Sequence, residues 1–246
     1  MRTLKIKQLI ILFFTTNLLF SSCSLIYQDC TVTYIGNDQT SGSAPIDTIT
    51  YSYGSDFTAL GKGSLEKEGF TLLWWNTKPD GKGTFVKPGD KPVLKTNNLN
   101  LYAFWVEDTY AKNFKLSINL NHTIQIDKYI GHGVTLVIPE SISGIPVTTL
   151  KKDALRYTAA QNITLSKNIT TIENLAYKDC SNFLSVIIPN GVKRIGSSAF
   201  DGCRNLRAIN IPESVTTIGE RAFQFCTSLA SIKIKRIPAF RNRPIL

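Results

Sequence analysis

Val192-Lys193-Arg194-Ile195-Gly196-Ser197-Ser198-Ala199-Phe200-Asp201-Gly202-Cys203-Arg204-Asn205-Leu206-Arg207-Ala208-Ile209-Asn210-Ile211-Pro212 is followed, in step, by Val215-x-x-Ile218-x4-Phe223-x-x-Cys226-x-x-Leu229-x-x-Ile232-x-Ile234. The preceding stretch runs Ile169-x-x-Ile172-x4-Tyr177-x-x-Cys180-x-x-Phe183-x-x-Val186-x-Ile188-Pro189, so Cys180, Cys203 and Cys226 recur every 23 residues. A period of that length means a solenoid, in which each unit buries its apolar face only by stacking on its neighbours. A looser unit lies upstream, from Val147, Leu150 and Leu155 to Ile163 and Leu165. The Ile-x-Ile pairs alternate at the strand period and Pro ends them, which predicts one short strand per turn in a parallel sheet. Ser198-Ala199-Phe200-Asp201-Gly202-Cys203 suits a short helical turn on the opposite wall. The expected fold is mainly β with short helical turns, a right-handed coil.

These residues resemble the BspA-type leucine-rich repeat of bacterial surface proteins, above all Pro212-Glu213-Ser214-Val215-Thr216-Thr217-Ile218-Gly219 with Ala222, Phe223 and Cys226. The resemblance covers about 129 to 234. Three evenly spaced cysteines also raise a disulfide or metal reading, which stacking opposes. Equivalent residues on adjacent turns lie about 5 Å apart with parallel side chains, whereas a disulfide needs converging Cβ atoms and zinc needs ligands meeting at a point. Burial as small apolar groups is the expected role. Cys30 is left open between a thiol and an intermolecular pair.

At the other end, Arg2, Lys5 and Lys7 precede the apolar stretch Leu9 to Phe20 and then Ser21-Ser22-Cys23. A charged start, an apolar run short for a bilayer span and small residues before a cleavage point describe an export signal. It resembles a bacterial lipoprotein signal cut before Cys23, although the family prefers Leu where Phe20 stands. The resemblance implies lipidation of Cys23 and stable membrane anchoring, since each buried methylene contributes about 0.8 kcal/mol and one chain alone is marginal. An ordinary secretory signal or an uncleaved anchor helix are the alternatives.

The chain of 246 residues carries 28 basic and 18 acidic residues, a formal charge of +10. From Cys23 onward the balance is 25 basic against 18 acidic residues, or +7, and Lys233, Lys235, Arg236, Arg241 and Arg243 supply five of those charges. Residues 23–232 are therefore near neutral. No basic stripe follows the repeats, so a nucleic-acid partner is not expected; the basic end favours nonspecific attraction to anionic surfaces.

Between leader and repeats, Val32 and Tyr34, and later Leu99, Leu101, Ala103 and Trp105, alternate with polar residues as strands do. Lys78-Pro79-Asp80-Gly81 and Lys87-Pro88-Gly89-Asp90 are turn sequences. Together with Gly69-Phe70-Thr71-Leu72-Leu73-Trp74-Trp75-Asn76-Thr77 and Leu99-Asn100-Leu101-Tyr102-Ala103-Phe104-Trp105, they resemble the Listeria-Bacteroides repeat of internalin-type proteins. That resemblance covers about 30 to 106 and implies a small β-grasp-like module. The family usually has Gly where Trp74 stands. Trp75 is then the core residue, and Trp74 is expected on the opposite face as an exposed aromatic.

The chain thus divides into a signal (1–22), a tether (23–29), the β-grasp-like module (30–106), a linker with a capping hairpin (107–138), the repeats (139–234) and a basic tail (235–246). The hairpin is read from the alternation of Phe114, Leu116, Ile118 and Leu120, then Ile124 and Ile126. The far end has no cap, which leaves Ile218, Phe223 and Leu229 uncovered and allows weak homo-association through the last strand. His122 and His132 stand without a nucleophile or acid cluster at motif spacing, so no enzyme, no metal and no cofactor are expected. Outward strand positions align Thr164, Ile187, Asn210 and Lys233 in a column flanked by Ser185 and Arg207, a candidate protein-binding face. The expected protein is lipid-anchored on a bacterial envelope, probing host or bacterial surface proteins. The alternative is a self-assembling envelope component.

Overall fold

A computed structural model describes residues 29–234 and 239–240. Cys23 and the leader lie outside the described residues.

The amino-terminal module is one mixed sheet. Its strands are β1 (Asp29–Ile35), β2 (Tyr51–Ser52), β3 (Phe70–Asn76), β4 (Phe85–Val86) and β5 (Asn98–Glu107), in the order β2-β1-β5-β3-β4. The central pair β1 and β5 is parallel, with Val32 opposite Leu99 and Tyr34 opposite Leu101. One face of this sheet closes on Trp75, whose ring meets that of Tyr34 at 4.8 Å. The Trp75 indole N–H donates to the Leu60 carbonyl and the Tyr34 hydroxyl accepts from the Leu60 N–H, so two polar tips hold down the long connection between β1 and β3, which carries β2. Asn76 is buried and its amide satisfies the Lys78-to-Gly83 turn: its oxygen accepts from the N–H groups of Lys78 and Gly83, and its nitrogen donates to the carbonyls of Gly81 and Gly83.

Trp74 corrects the sequence reading. It points away from Trp75, as alternation requires, yet it is only 2% exposed. Its face of the sheet, with Phe104 and Val106, joins the same apolar cluster as Ile142 and Ile145 at the start of the solenoid. Phe85 and Phe104 enclose the indole at 5.8 and 6.0 Å between ring centroids. Alternation fixes which way a side chain points. It says nothing about what another part of the chain lays over that face.

A one-turn helix, α1 (Asp108–Ala111), leads to the hairpin β6 (Phe114–Ile118) and β7 (Ile124–Tyr129). The remaining strands are β8 (Thr135–Val137), β9 (Ser141–Ile142), β10 (Ile145–Leu150), β11 (Asn162–Thr164), β12 (Thr171–Ile172), β13 (Ser185–Ile187), β14 (Arg194–Ile195), β15 (Ala208–Ile211), β16 (Thr217–Ile218), β17 (Ser231–Ile234) and β18 (Ala239–Phe240). They form two parallel stacks, not one. The first runs β18-β16-β14-β12-β10-β7 with β6 antiparallel at its end and β9 beside β10; the second runs β17-β15-β13-β11-β8. The coil is therefore a parallel-sheet solenoid of almost pure β structure. β7 and β8 already supply its first rungs, so coil geometry begins within the stretch read as linker.

The third wall is not helical. In each turn two residues four apart take left-handed backbone: Asp153 and Tyr157, Leu175 and Asp179, Ser198 and Gly202, Arg221 and Phe225. Two such residues break any helical run, and the freed N–H groups bond between turns instead. Tyr177, Asp179, Phe200 and Gly202 donate to the carbonyls of Ala199, Asp201, Ala222 and Gln224 at 2.7, 2.8, 2.8 and 2.8 Å.

Inside, the rings of Phe183, Tyr177, Phe200 and Phe223 stack nearly parallel, with successive centroids 5.5, 4.7 and 5.4 Å apart. Beside them Cys180, Cys203 and Cys226 are buried thiols, and each Sγ donates to a carbonyl of the turn before: Leu155 at 3.0 Å, Tyr177 at 3.1 Å and Phe200 at 3.0 Å. The flanking thiols and burial raise the Cys203 pKa far above the ordinary thiol range, which suppresses its thiolate, whereas the hydrogen bond with Cys203 lowers that of Cys226, so burial is what shields the column from reagents. All three should resist alkylation in the folded state and react fully after denaturation. Peptide mass spectrometry that finds any of them modified without unfolding, or joined as a disulfide, contradicts this arrangement. Cys30 is buried as well.

The carboxy-terminal end differs from the sequence expectation. Ala239 and Phe240 lie parallel to Thr217 and Ile218 and add a rung beyond β16. Ile218 and Phe223 are buried, and Leu229 is partly so.

Candidate protein-binding face

The second parallel stack positions the column that the repeat spacing predicts. Register pairs Val137 with Thr164, Ile187 with Asn210 and Asn210 with Lys233; Asn162 opposite Ser185 brings Thr164 beside Ile187. The residues between them, Leu136, Ile163, Val186 and Ile209, are buried, so each outward neighbour is fixed by an anchored inward one. With rungs about 4.8 Å apart, five strands give a column roughly 19 Å long. A second outward column, Thr135, Asn162, Ser185, Ala208 and Ser231, runs beside it. Arg207 is exposed one residue before β15.

Two side chains distinguish this face from a merely wetted one. Ile187 is 80% exposed and Val137 is 58% exposed, on a sheet whose other outward residues are small or polar. The sequence reading missed Val137 because 135–137 contains one inward residue, Leu136, and resembles a loop between Gly133 and Pro139. A shallow depression of about 460 Å³ lies around Asn162, Thr164, Lys167, Ser185, Ile187 and Asn190. A second, about 290 Å³, continues it across Ala208, Asn210, Ser231 and Lys233. Lys167 pairs with Glu140 at 3.0 Å on its rim, with both side chains largely in water. Such a pair contributes little to stability. The face offers small side chains, hydroxyls, amides and one large exposed isoleucine. That suits complementary contact with a protein surface more than capture of a small molecule.

The histidines are apart from it. His122 Nδ1 lies 2.9 Å from the Gly83 carbonyl, which can only accept, so this nitrogen carries the proton and ties the hairpin tip to the first module. His132 is exposed in the following loop. Among the described residues no group of three or more His, Cys, Asp or Glu is placed to hold a metal ion. No described helix is long and apolar enough to cross a membrane.

The described residues form a parallel-sheet β-solenoid preceded by a small mixed-sheet module. Residues 148–240 match the BspA type leucine rich repeat region, in six copies. Two curated proteins of Evansella cellulosilytica are similar: one whose name describes a Gly-rich membrane protein, 34% identical over 113 residues, and one named as a membrane protein, 41% identical over 86 residues. The matches cover 46% and 35% of this chain but only 13% and 12% of those proteins. Among solved structures, a leucine-rich repeat protein from Bacteroides capillosus is 22% identical with a TM-score of 0.47, covering 50% of this chain and 95% of that one. A leucine rich repeat protein of T. pallidum is 21% identical with a TM-score of 0.34, covering 52% and 82%. A leucine rich cell surface protein from Faecalibacterium prausnitzii is 19% identical with a TM-score of 0.35, covering 49% and 52%.

Proposed function

We propose that this chain is a lipid-anchored protein of a bacterial cell surface that binds other proteins through the β8-β11-β13-β15-β17 face, as a binding module and not an enzyme. The observation that carries the reading is Ile187, held 80% exposed in the middle of a five-stranded parallel sheet by a buried residue on either side. Repeat solenoids use such extended sheet faces for recognition, and the membrane-protein names of the two Evansella relatives support an envelope location. The mixed sheet with its Trp75 core supports assigning the first module to the internalin-type repeat.

The test is capture of purified host matrix and cell-surface proteins by the chain from residue 24, compared with Ile187→Asp. Because Ile187 is exposed, the variant should keep the parent melting temperature while binding to its ligand falls at least tenfold. Undiminished capture by Ile187→Asp removes this face from the function. Anchoring is separate. Cys23→Ala should leave the protein unprocessed or release it from the membrane fraction, and a variant that is processed and partitions into detergent like the parent excludes lipidation at Cys23.

A further inference from the structure

The first module contains an unpaired stretch of strand edge. Strand β5 is ten residues long but is flanked on both sides along only part of its length. Asn98 to Tyr102 pair with β1, while β3 covers only Tyr102 to Glu107, ending at the Asn76–Tyr102 pair. The Thr31 N–H donates to the Asn97 carbonyl at 2.8 Å, which fixes the parity: residues 97, 99 and 101 direct their backbone groups to β1. Those of Asn98 and Asn100 therefore face the other way, into the line that β3 has vacated. The Thr96 hydroxyl reaches the Asn98 carbonyl at 3.4 Å. No described strand pairs with the Asn98 N–H or with either backbone group of Asn100.

That vacated line is an open slot of about 720 Å³. Val86, Val93 and Leu99 make it apolar, and Thr77, Thr84 and Tyr102 close its upper end. Val93 is 47% exposed. Lys95 is exposed and is the charged residue that lines the slot; Lys87 and Lys91 are exposed neighbours in sequence of the lining residues Val86 and Pro92. Among the described residues no carboxylate lines the slot; Asp56 bridges the lining residue Val93 from the neighbouring segment, and Asp90 accepts the Lys87 backbone N–H at 2.8 Å. An unpaired strand edge beside an apolar trough is the template for adding one more strand, and Lys95 selects its charge.

We propose that this slot binds an extended, acidic peptide segment of a partner protein, which pairs with Asn98 and Asn100 in the line of β3, seats aliphatic side chains on Val86, Val93 and Leu99, and sets a carboxylate against Lys95. The site is separate from the solenoid face and stands whether or not Ile187 contacts a ligand.

The probes are two blocked pentapeptides, Glu-Val-Glu-Val-Glu and Lys-Val-Lys-Val-Lys, titrated into the isotope-labelled chain from residue 24 at low and high salt. The acidic peptide should shift the amides of Asn98 and Asn100, bind at least tenfold tighter than the basic one, and weaken as salt rises. Asn100→Pro removes a donor that faces the slot and takes no part in the β1 ladder, so it should weaken binding at least tenfold. Should Asn100→Pro lower the melting temperature, Lys95→Glu decides, because an exposed charge reversal leaves the fold intact and should abolish the preference for the acidic peptide. Equal affinity for the two peptides, no binding, or parent-like binding by Lys95→Glu overturns the proposal. Concentration-dependent dimers that Asn100→Pro dissolves would overturn it too, by showing that a second copy fills the slot.

Discussion

Phe200→Ala should destabilise the repeats by about 3–5 kcal/mol, the usual cost of deleting a fully buried aromatic ring. Phe200 is completely buried and stacks on Tyr177 below and Phe223 above, at 4.7 and 5.4 Å. Its loss removes two ring contacts and leaves a cavity that parallel-stacked neighbours cannot fill without tilting. Solenoid stability is roughly a sum of terms between adjacent turns, so the damage should concentrate carboxy-terminal to the substitution. Calorimetry should show a lower and broader transition, and hydrogen exchange should show residues 203–234 opening first while the first module stays protected. Tyr177→Phe is the control in the same column. The Tyr177 hydroxyl is buried without a partner, and burial raises its pKa well above the ordinary tyrosine value, so deleting it should cost nothing and stabilise by about 1 kcal/mol. A Phe200→Ala loss below about 1 kcal/mol would mean that the column is loosely packed.

The 23-residue register made this column legible: spacing alone names Tyr177, Phe200 and Phe223 as inward and Cys180, Cys203 and Cys226 as their neighbours. It also named the outward column, because Ile-x-Ile carries two inward residues around one outward residue. The first parallel stack gives no such signal. Its strands Thr171–Ile172, Arg194–Ile195 and Thr217–Ile218 are two residues long, with one inward side chain each, so no alternation exists to be read. They become a sheet only by stacking. The turn wall hides its conformation in a similar way. Only Gly202 announces a positive φ by its residue type, whereas Leu175, Arg221 and Phe225 hold the same left-handed backbone in walls that are hydrogen-bonded to an adjacent turn.

Trp74 and Val137 mark a different boundary. For both, local pattern gives the direction of the side chain, and the outcome depends on a distant segment: the solenoid start covers Trp74, and the neighbouring β11 turns Thr135–Val137 from loop into strand. The docking edge on β5 belongs to this class. Asn98-Leu99-Asn100-Leu101 reads as an ordinary alternating strand, and that one side of it is vacant follows only from where β3 stops.

Gly196→Ala should be a severely damaging single-methyl addition, for reasons unrelated to backbone freedom. Gly196 and Gly219 lack positive φ, but a Cβ on Gly196 would lie 2.4 Å from the Asn174 nitrogen and 2.5 Å from the Glu173 carbonyl carbon, while one on Gly219 would lie 2.3 Å from the Ser197 nitrogen. These neighbours are backbone atoms of the turn below and cannot rotate away. Relief requires the turns to separate, against the bonds from the Gly196 N–H to the Ile172 carbonyl at 2.9 Å, from the Ser197 N–H to Asn174 Oδ1 at 2.9 Å and from the Leu175 N–H to the Ser197 carbonyl at 3.0 Å. Three bonds at about 1 kcal/mol each set the expected loss near 3 kcal/mol. Glu173 holds the equivalent place one turn earlier and carries a full side chain, because the looser unit beneath it is shaped differently: its carboxylate accepts the Lys152 N–H and its own N–H reaches the Leu150 carbonyl. Close approach is thus a property of consecutive 23-residue turns. Gly89→Ala is the comparison, since Gly89 has φ of 88° and open space around it and should cost only about 1–2 kcal/mol of backbone strain. Separating the turns at Gly196 would also part β13 from β15 and split Ile187 from Asn210, so binding at the proposed face should fall with stability in Gly196→Ala and persist in Gly89→Ala. Denaturant midpoints that place Gly196→Ala within about 0.5 kcal/mol of the parent would show that the turns slide apart cheaply, and that stacking distance does not fix the face.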